Sequence, residues 1–477
     1  MAGQSSTRAF AGGKEELVLT VRRQEAQLVV PAKPTPRVHL PLSDIDDQEA
    51  LRIQVPITMF YGGGSHFLQS DRDPVKVIRE ALSEALVFYY PLAGRLRELG
   101  PDQTGSKLMV DCTGELGILF IEADADVTLM QLGLPLQPPF PYLEDLLLHH
   151  DDVQGRSVDG GILGCSLLLF QVTRLTCSGF VVACRLNHTM CDGTGLVQFL
   201  TAVGDLARGR RAPSAPTVWE RKLLSARDPL RVTCTHHEYD QLVDDDDVGA
   251  QLEDLVHRSF FFGSAEIETL RQLVPSPEQL GRRCTSFDLM TACIWRCRTI
   301  ALGFEPNQDV RFLCVVNARN KYKPPLPTGY YGNAIAFPAA LTTAGMLCKH
   351  SLEYALKLVM KTKENVTEEY MRSTADLMVL KGRPPLTTGA HIFLISDLRR
   401  LGFGDVDFGW GKACYAGAAM SGISSATRLV NYYVSGKNDK DEDGDLLLIS
   451  LPATAMKVFE DQLQRLLKHG YDILSTL

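Results

Sequence analysis

At 477 residues the chain is too long for one ordinary hydrophobic core, so two or more domains are expected. A hydrophobic share of 45% and a charged share of 22% are those of a globular protein, and a net charge of -8 speaks against a nucleic-acid partner. No apolar run is long enough to span a bilayer, and Met1–Ser6 lead into no apolar signal core, so neither a membrane span nor secretion is expected.

Residues 1 to about 15 are small and polar and read as disordered. Glu16–Val21 and Leu28–Val30 read as strands, broken by Pro31, Pro34 and Pro36. Asp73-Pro74 opens a helix with Val77, Ile78, Ala81, Leu82, Ala85 and Leu86 along one face. Strands follow at Lys107–Asp111 and Ile118–Glu122, then an irregular region over 131–163, then a strand at Ser166–Arg174.

The apolar run Phe180–Leu186 reads as a buried strand. Leu196, Phe199, Leu200, Val203 and Leu206 then recur at helical spacing, which predicts a helix over Gly195–Ala207. His188 falls in the tight connection between the two, with Asp192 four residues on. On spacing alone His-x-x-x-Asp is a weak signal, because a lone histidine before a helix is more often a polar turn residue. Gly193 and Gly195 are expected to leave space open beside the imidazole, and Asp192 to stiffen the loop by accepting backbone bonds or meeting an arginine.

Gly209–Pro216 is the best linker, and Asp244–Asp247 marks a second solvated loop. From His257 a second α/β unit begins. It carries strands at Ser259–Phe262, Val310–Val316, His391–Ser396, Ala426–Tyr433 and Leu446–Leu451. Its helices read as Ala265–Val274, Ser286–Ala301, Leu352–Thr374 and Ala455–Leu467. Two further clusters stand out. Gly402–Lys412 alternates glycine with Phe403, Phe408 and Trp410, which suits either close approach to a ligand or a bulged hairpin packed by its aromatics. Val315–Arg319 with Pro324–Ala334 suits either a site or a rigid surface loop.

Adjacent His236 and His237 point different ways along a chain and imply no third metal ligand. There is no Gly-x-Ser-x-Gly elbow, Walker loop or dinucleotide fingerprint, which leaves serine-hydrolase and nucleotide-dependent readings without support. The 12 cysteines are scattered without a Cys-x-x-Cys pair and read as buried reduced thiols. Ser475-Thr476-Leu477 shares the ends of the Ser-Lys-Leu peroxisomal address but lacks its basic middle residue. A cytoplasmic location is therefore expected, with the peroxisome as the alternative.

Together, His188–Gly193 and Asp407–Gly411, in this order along the chain, resemble the plant BAHD acyl-CoA-dependent acyltransferases. Pro41–Asp44, Tyr89–Leu96, Asn317–Arg319 and Tyr331–Asn333 extend the resemblance over nearly the whole chain. Gly195–Phe199, Ala226–Tyr239, Glu368–Met371 and Leu377–Pro384 are most similar to the benzyl alcohol O-benzoyltransferase and alcohol acyltransferase group. Residues 149–164, 416–425 and 439–445 depart from that group.

The resemblance implies a mixed α/β fold of two chloramphenicol-acetyltransferase-like lobes, joined by a long crossover loop, with a channel between them. Residues 1–212 form the first lobe, 213–256 the crossover and 257–477 the second. It implies a monomer that takes acyl-CoA as co-substrate, with no resident cofactor or metal. The activity implied is transfer of an acyl group, benzoyl first, to a small alcohol, benzyl alcohol first, with His188 as general base in a ternary complex. An amine N-acyltransferase and a non-catalytic binding protein are the alternatives. Asp192 is expected to pair with Arg319, Asp407 to support the site, and Trp410 to supply an oxyanion donor. Thr285, Ser286, Tyr331, Gly332 and Asn333 are expected on the acyl-CoA side.

Overall fold

The alternation along the two largest sheets sorts side chains between an outer helical layer and an inner face. The computed structural model describes residues 5–11, 16–62, 72–99, 107–114, 117–147, 162–240, 255–422 and 430–468. In the first sheet the order is Ser5–Ala11, Glu16–Arg23, Ile118–Ala125, Leu168–Arg174, Phe180–Asn187, Gln54–Tyr61 and Tyr415–Gly417, and Gln27–Val29 pairs beside Ile118–Ala125. Its neighbours are antiparallel except Ile118–Ala125 with Leu168–Arg174, which run parallel. The strand Phe180–Asn187 is buried along its whole length. Its Phe180, Val182, Cys184 and Leu186 pack with the helices Pro74–Phe88 and Gly193–Ala207, while Val181 faces the other way.

The second sheet runs Leu255–Phe262, Asp443–Pro452, Val430–Lys437, Ile392–Asp397, Asp309–Cys314 and Ala339–Thr343. Phe312, Phe393, Ile395, Tyr433, Leu447 and Ile449 pack outward on the helices Ser286–Leu302, Leu352–Glu364 and Ala453–Lys468. Tyr432, Val434, Leu446 and Leu448 point inward, where they join Phe60 and Val181 of the first sheet in one cluster. The two sheets thus share an inner interface. Residues 216–240 cross between them with short 3-10 turns and a single bridge from Val218 to Tyr330. They are pinned to the helix Glu368–Leu380 by Arg227, whose guanidinium donates to Asp376 at 2.7 Å and Glu369 at 2.9 Å.

Four expectations change. Ser5–Ala11, read as disordered, is a strand paired in register with Glu16–Arg22. Leu352–Thr374 is not one helix but two, Leu352–Glu364 and Glu368–Leu380. Thr367 starts the second by accepting the Tyr370 N–H on its hydroxyl, a local capping signal that the apolar period hides. The expected strand 426–433 is observed as Val430–Lys437, with 426–429 outside the described residues. Tyr415–Gly417, late in the chain, leaves the second half to edge the first sheet against Phe60–Thr58. The acidic run 244–247 and the C-terminal Ser475-Thr476-Leu477 also lie outside the described residues.

Candidate active site

His188 leaves the buried strand at its last hydrogen bond, with its own N–H donating to the Ile53 carbonyl at 2.8 Å. The turn beyond it is closed locally. Asn187 Oδ1 accepts from Thr189 N at 3.2 Å and Thr189 Oγ1 at 2.7 Å, and Met190 N donates to the Asn187 carbonyl at 3.0 Å. Arg221 clamps the same turn, donating to the Met190 carbonyl at 2.7 Å.

Asp192 ends the turn and starts the helix Gly193–Ala207, accepting the Gly195 N–H at 3.0 Å. Arg319 grips its carboxylate with two nitrogens, Nη1 to Oδ2 at 2.6 Å and Nη2 to Oδ1 at 3.0 Å, and Ala334 N donates to Oδ2 at 3.0 Å. Every carboxylate bond is spent on scaffold, so Asp192 ties the His188 loop to the second half of the chain.

The imidazole itself is held from one side. Nδ1 lies 3.1 Å from Asn333 Oδ1, and Asn333 Nδ2 donates to the His188 carbonyl at 2.8 Å. Among the described residues Nε2 has no hydrogen-bond partner, and His188 borders a cavity of 410 Å³ between the two sheets. Val55, Ile57 and Leu186 wall it from the first sheet, and Ile392, Leu394 and Tyr432 from the second. Burial pulls the His188 pKa below its usual 6.5, against the opposing pull of its own carbonyl, Asp192, Asn333 and Asp46. The ring is therefore neutral at pH 7 and able to take a proton. Cys191 borders the same cavity, but burial pushes its thiol far up, and its Sγ donates to Tyr331 Oη at 3.2 Å, so no thiolate nucleophile stands there.

The space beside Gly193 and Gly195 is not open. A Cβ at Gly193 would lie 2.5 Å from Leu401 Cδ1, and one at Gly195 would lie 2.6 Å from Cys191 Cβ. The glycines instead admit close packing of the loop Leu398–Leu401 and of the turn itself.

Asp407 and Trp410 sit elsewhere. Asp407 Oδ1 accepts from Gly409 N at 2.7 Å and Gly411 N at 2.8 Å, closing its own loop, and Arg208 donates to its carbonyl. Phe408 packs edge-on to Tyr61, and Trp410 edge-on to Phe180 at 5.2 Å. Phe180 begins the strand whose far end carries His188, and a strand rises about 3.3 Å per residue, so Trp410 lies roughly 20 Å from the imidazole. It is buried core and cannot be the oxyanion donor. Its glycine-aromatic alternation is that of a packed hairpin-like loop.

The acyl-CoA expectation for Tyr331, Gly332 and Asn333 is also corrected. Tyr331 is fully buried against Tyr89 and Trp219, the Gly332 carbonyl accepts from Arg319 at 2.9 Å, and Asn333 is fully buried under His188. These residues frame the loop. Thr285 and Ser286 remain accessible at the start of the helix Ser286–Leu302, although the Thr285 hydroxyl is engaged with Asp288 at 2.7 Å. His236 and His237 do diverge: His236 is buried between Glu238 and Ser373, while His237 meets Asp240 at the surface.

Sequence reasoning missed Asp46 and Arg221, which meet at 2.8 Å beneath the His188 turn. A signal was present. Ser43-Asp44-Ile45-Asp46-Asp47 puts three carboxylates beside a buried apolar residue, and each finds a cation: Lys107 at 2.9 Å, Arg221 at 2.8 Å and Arg52 at 2.8 Å.

A family model described as the transferase family matches residues 19–466. The chain is 57% identical over 453 residues to a benzyl alcohol O-benzoyltransferase of Nicotiana tabacum and 55% to one of Petunia hybrida, with 95% of each chain covered in both cases. It is 52% identical to alcohol acyl transferase 1, allele GSd, of Malus domestica, with 94% of each covered. Vinorine synthase superposes with a TM-score of 0.66 at 20% identity, over 94% of this chain and 98% of that one. TRI101 of F. sporotrichioides, complexed with coenzyme A and T-2, superposes at 0.62 and 14% identity, over 89% and 97%. These likenesses give the architecture a name, two chloramphenicol-acetyltransferase-like lobes with a channel between them. The chain belongs to the BAHD family of acyl-CoA-dependent acyltransferases.

Proposed function

We propose that this enzyme moves an acyl group from acyl-CoA to the hydroxyl of a small alcohol, with benzoyl and benzyl alcohol as the leading pair and His188 as general base. The observation that carries the reading is His188 at the wall of an apolar cavity between the sheets, with Nδ1 held by Asn333 and Nε2 without a hydrogen-bond partner among the described residues. An alcohol is a weak nucleophile at neutral pH, and a neutral imidazole removes its proton as the oxygen attacks the thioester carbonyl carbon. The tetrahedral adduct then expels the CoA thiolate, which takes the proton back from His188. Cys191 is unsuited to hold an acyl group, which favours direct transfer in a ternary complex. With Trp410 remote, the oxyanion donor falls to one of the hydroxyls that border the cavity, those of Thr194, Thr387, Thr388, Ser396 and Tyr432.

The aromatic substrate pair rests on the names of the Nicotiana and Petunia relatives and on the apolar walls. Thr285 and Ser286 are retained on the acyl-CoA side, supported by their exposure and by Arg399, whose Nη1 lies 3.5 Å from Ser286 Oγ. The lobe division 1–212, 213–256 and 257–477 belongs to the same reading, with Tyr415–Gly417 as a strand the second lobe lends to the first. All these groups come from one chain, so a monomer suffices.

Purified protein is incubated with benzoyl-CoA against a panel that includes benzyl alcohol and benzylamine, and free CoA is followed. Ester formation is expected. Amide formation alone reassigns the acceptor, and no turnover with any aromatic or aliphatic acyl-CoA refutes the activity.

A further inference from the structure

We infer that Asp46 and Asn333 act as positioning residues that fix the tautomer of His188, an inference that rests on the general-base reading above. The three residues come from distant parts of the chain and meet beneath the cavity. Asn333 is fully buried, and its amide has one orientation only. The Nδ2 atom faces Asp46 Oδ1 at 3.0 Å and the His188 carbonyl at 2.8 Å, two oxygens that can only accept from it. That end of the amide is therefore the NH₂, and the end 3.1 Å from His188 Nδ1 is the oxygen. An amide oxygen cannot donate, so Nδ1 carries the proton and Nε2 keeps its lone pair toward the cavity.

Asp46 is the anchor of this arrangement. Besides Nδ2 it accepts the Asn333 N–H at 2.7 Å, the Ser43 N–H at 3.2 Å, the Ser43 hydroxyl at 2.5 Å and Arg221 Nη1 at 2.8 Å. All of these groups donate, so the carboxylate has no alternative but to orient the amide one way. The opposite amide orientation would set an NH₂ against Nδ1, place the ring proton on Nε2, and remove the base. Asn333 thus supplies from the second half of the chain what a carboxylate supplies in a Ser-His-Asp triad, without adding a charge beside the imidazole.

The test is ¹⁵N NMR of protein labelled at histidine, with His188 assigned by difference against His188→Ala. The wild-type ring is expected to show a protonated Nδ1 and a bare Nε2 at pH 7.5; a protonated Nε2 overturns the inference without needing any variant. Asn333→Leu, which keeps the branched shape but removes all three side-chain amide hydrogen bonds, is expected to mix the tautomers. It should lower kcat by about tenfold or more while KM for both substrates moves little, as expected for losing a hydrogen bond that serves the base rather than binding. Asp46→Asn, which lets position 46 donate and frees the amide to turn over, is expected to shift the same ¹⁵N signals. If His188→Ala keeps its rate, the general-base reading falls. If His188→Ala is inactive but Asn333→Leu keeps the wild-type tautomer and kcat, only the positioning inference falls.

Discussion

Replacing Asp192 by alanine separates a structural role from a chemical one. The substitution removes the acceptor for Gly195 N, Ala334 N and both terminal nitrogens of Arg319. Loss of the helix cap costs about 1 kcal/mol. The larger effect is on Arg319, whose side chain is 15% exposed and keeps only neutral acceptors, the Gly332 carbonyl at 2.9 Å and Asn317 Oδ1 at 3.5 Å. Breaking one side of a buried ion pair typically costs about 3–5 kcal/mol because the remaining charge is stranded. The expected loss for Asp192→Ala is therefore about 3–5 kcal/mol, read as a lower urea midpoint by near-UV circular dichroism. Adding Arg319→Met removes the stranded charge. The double variant should lose only about 1–3 kcal/mol, the cost of a cap and an unpaired N–H. A single variant with the wild-type midpoint but no turnover would place Asp192 in the chemistry. A double variant no more stable than the single would show that the guanidinium is not what destabilises the protein.

Trp410→Ala should cost about 3–5 kcal/mol of stability, as for other buried aromatics, yet leave the kcat of the folded fraction within a few-fold; a hundredfold fall in kcat at unchanged stability refutes the distant placement. Gly204→Ala places a Cβ 2.5 Å from the Asp407 carbonyl oxygen, so the Asp407–Gly411 loop must lift from the helix Gly193–Ala207. A lower melting temperature checks this, and a neutral effect contradicts it. Burial holds the His188 pKa below 6.5, so the acid limb of kcat/KM should lie below pH 6.5, and a limb above pH 7 would falsify the assignment. The same shift bears on stability. The unfolded ring takes its proton near about 6.5 and the folded ring only at lower pH, so this contribution is whole above pH 6.5 and is lost as pH falls toward the folded value.

Local pattern was sufficient where a structural decision is local. The apolar run Phe180–Leu186 and the helical spacing of Leu196 to Leu206 placed His188 between a strand and a helix, because periods of two and 3.6 report which face is buried. The helix starts two residues before the expected Gly195, where Asp192 caps it. Capping also divided Leu352–Thr374, through Thr367, which an apolar period alone passes over. The motif pair together with the other family-like runs carried the family resemblance.

Proximity between distant segments was not legible in this way. Asn333 reaches His188 across 145 residues and Asp46 across 287, and although the run Tyr331–Asn333 and the carboxylates of Ser43–Asp47 each stand out locally, neither says which residue the other meets. Trp410, a candidate by motif, lost its role because the chain folds that loop against Phe180, at the wrong end of the very strand that carries His188. By itself the sequence determined most of the elements, the family and the place of His188 between a strand and a helix, since each rests on short-range pattern or on motifs read whole. Only the tertiary structure decided which polar groups share a buried space. A buried donor must find an acceptor wherever the fold brings one, and that pairing settles which nitrogen of His188 faces the cavity.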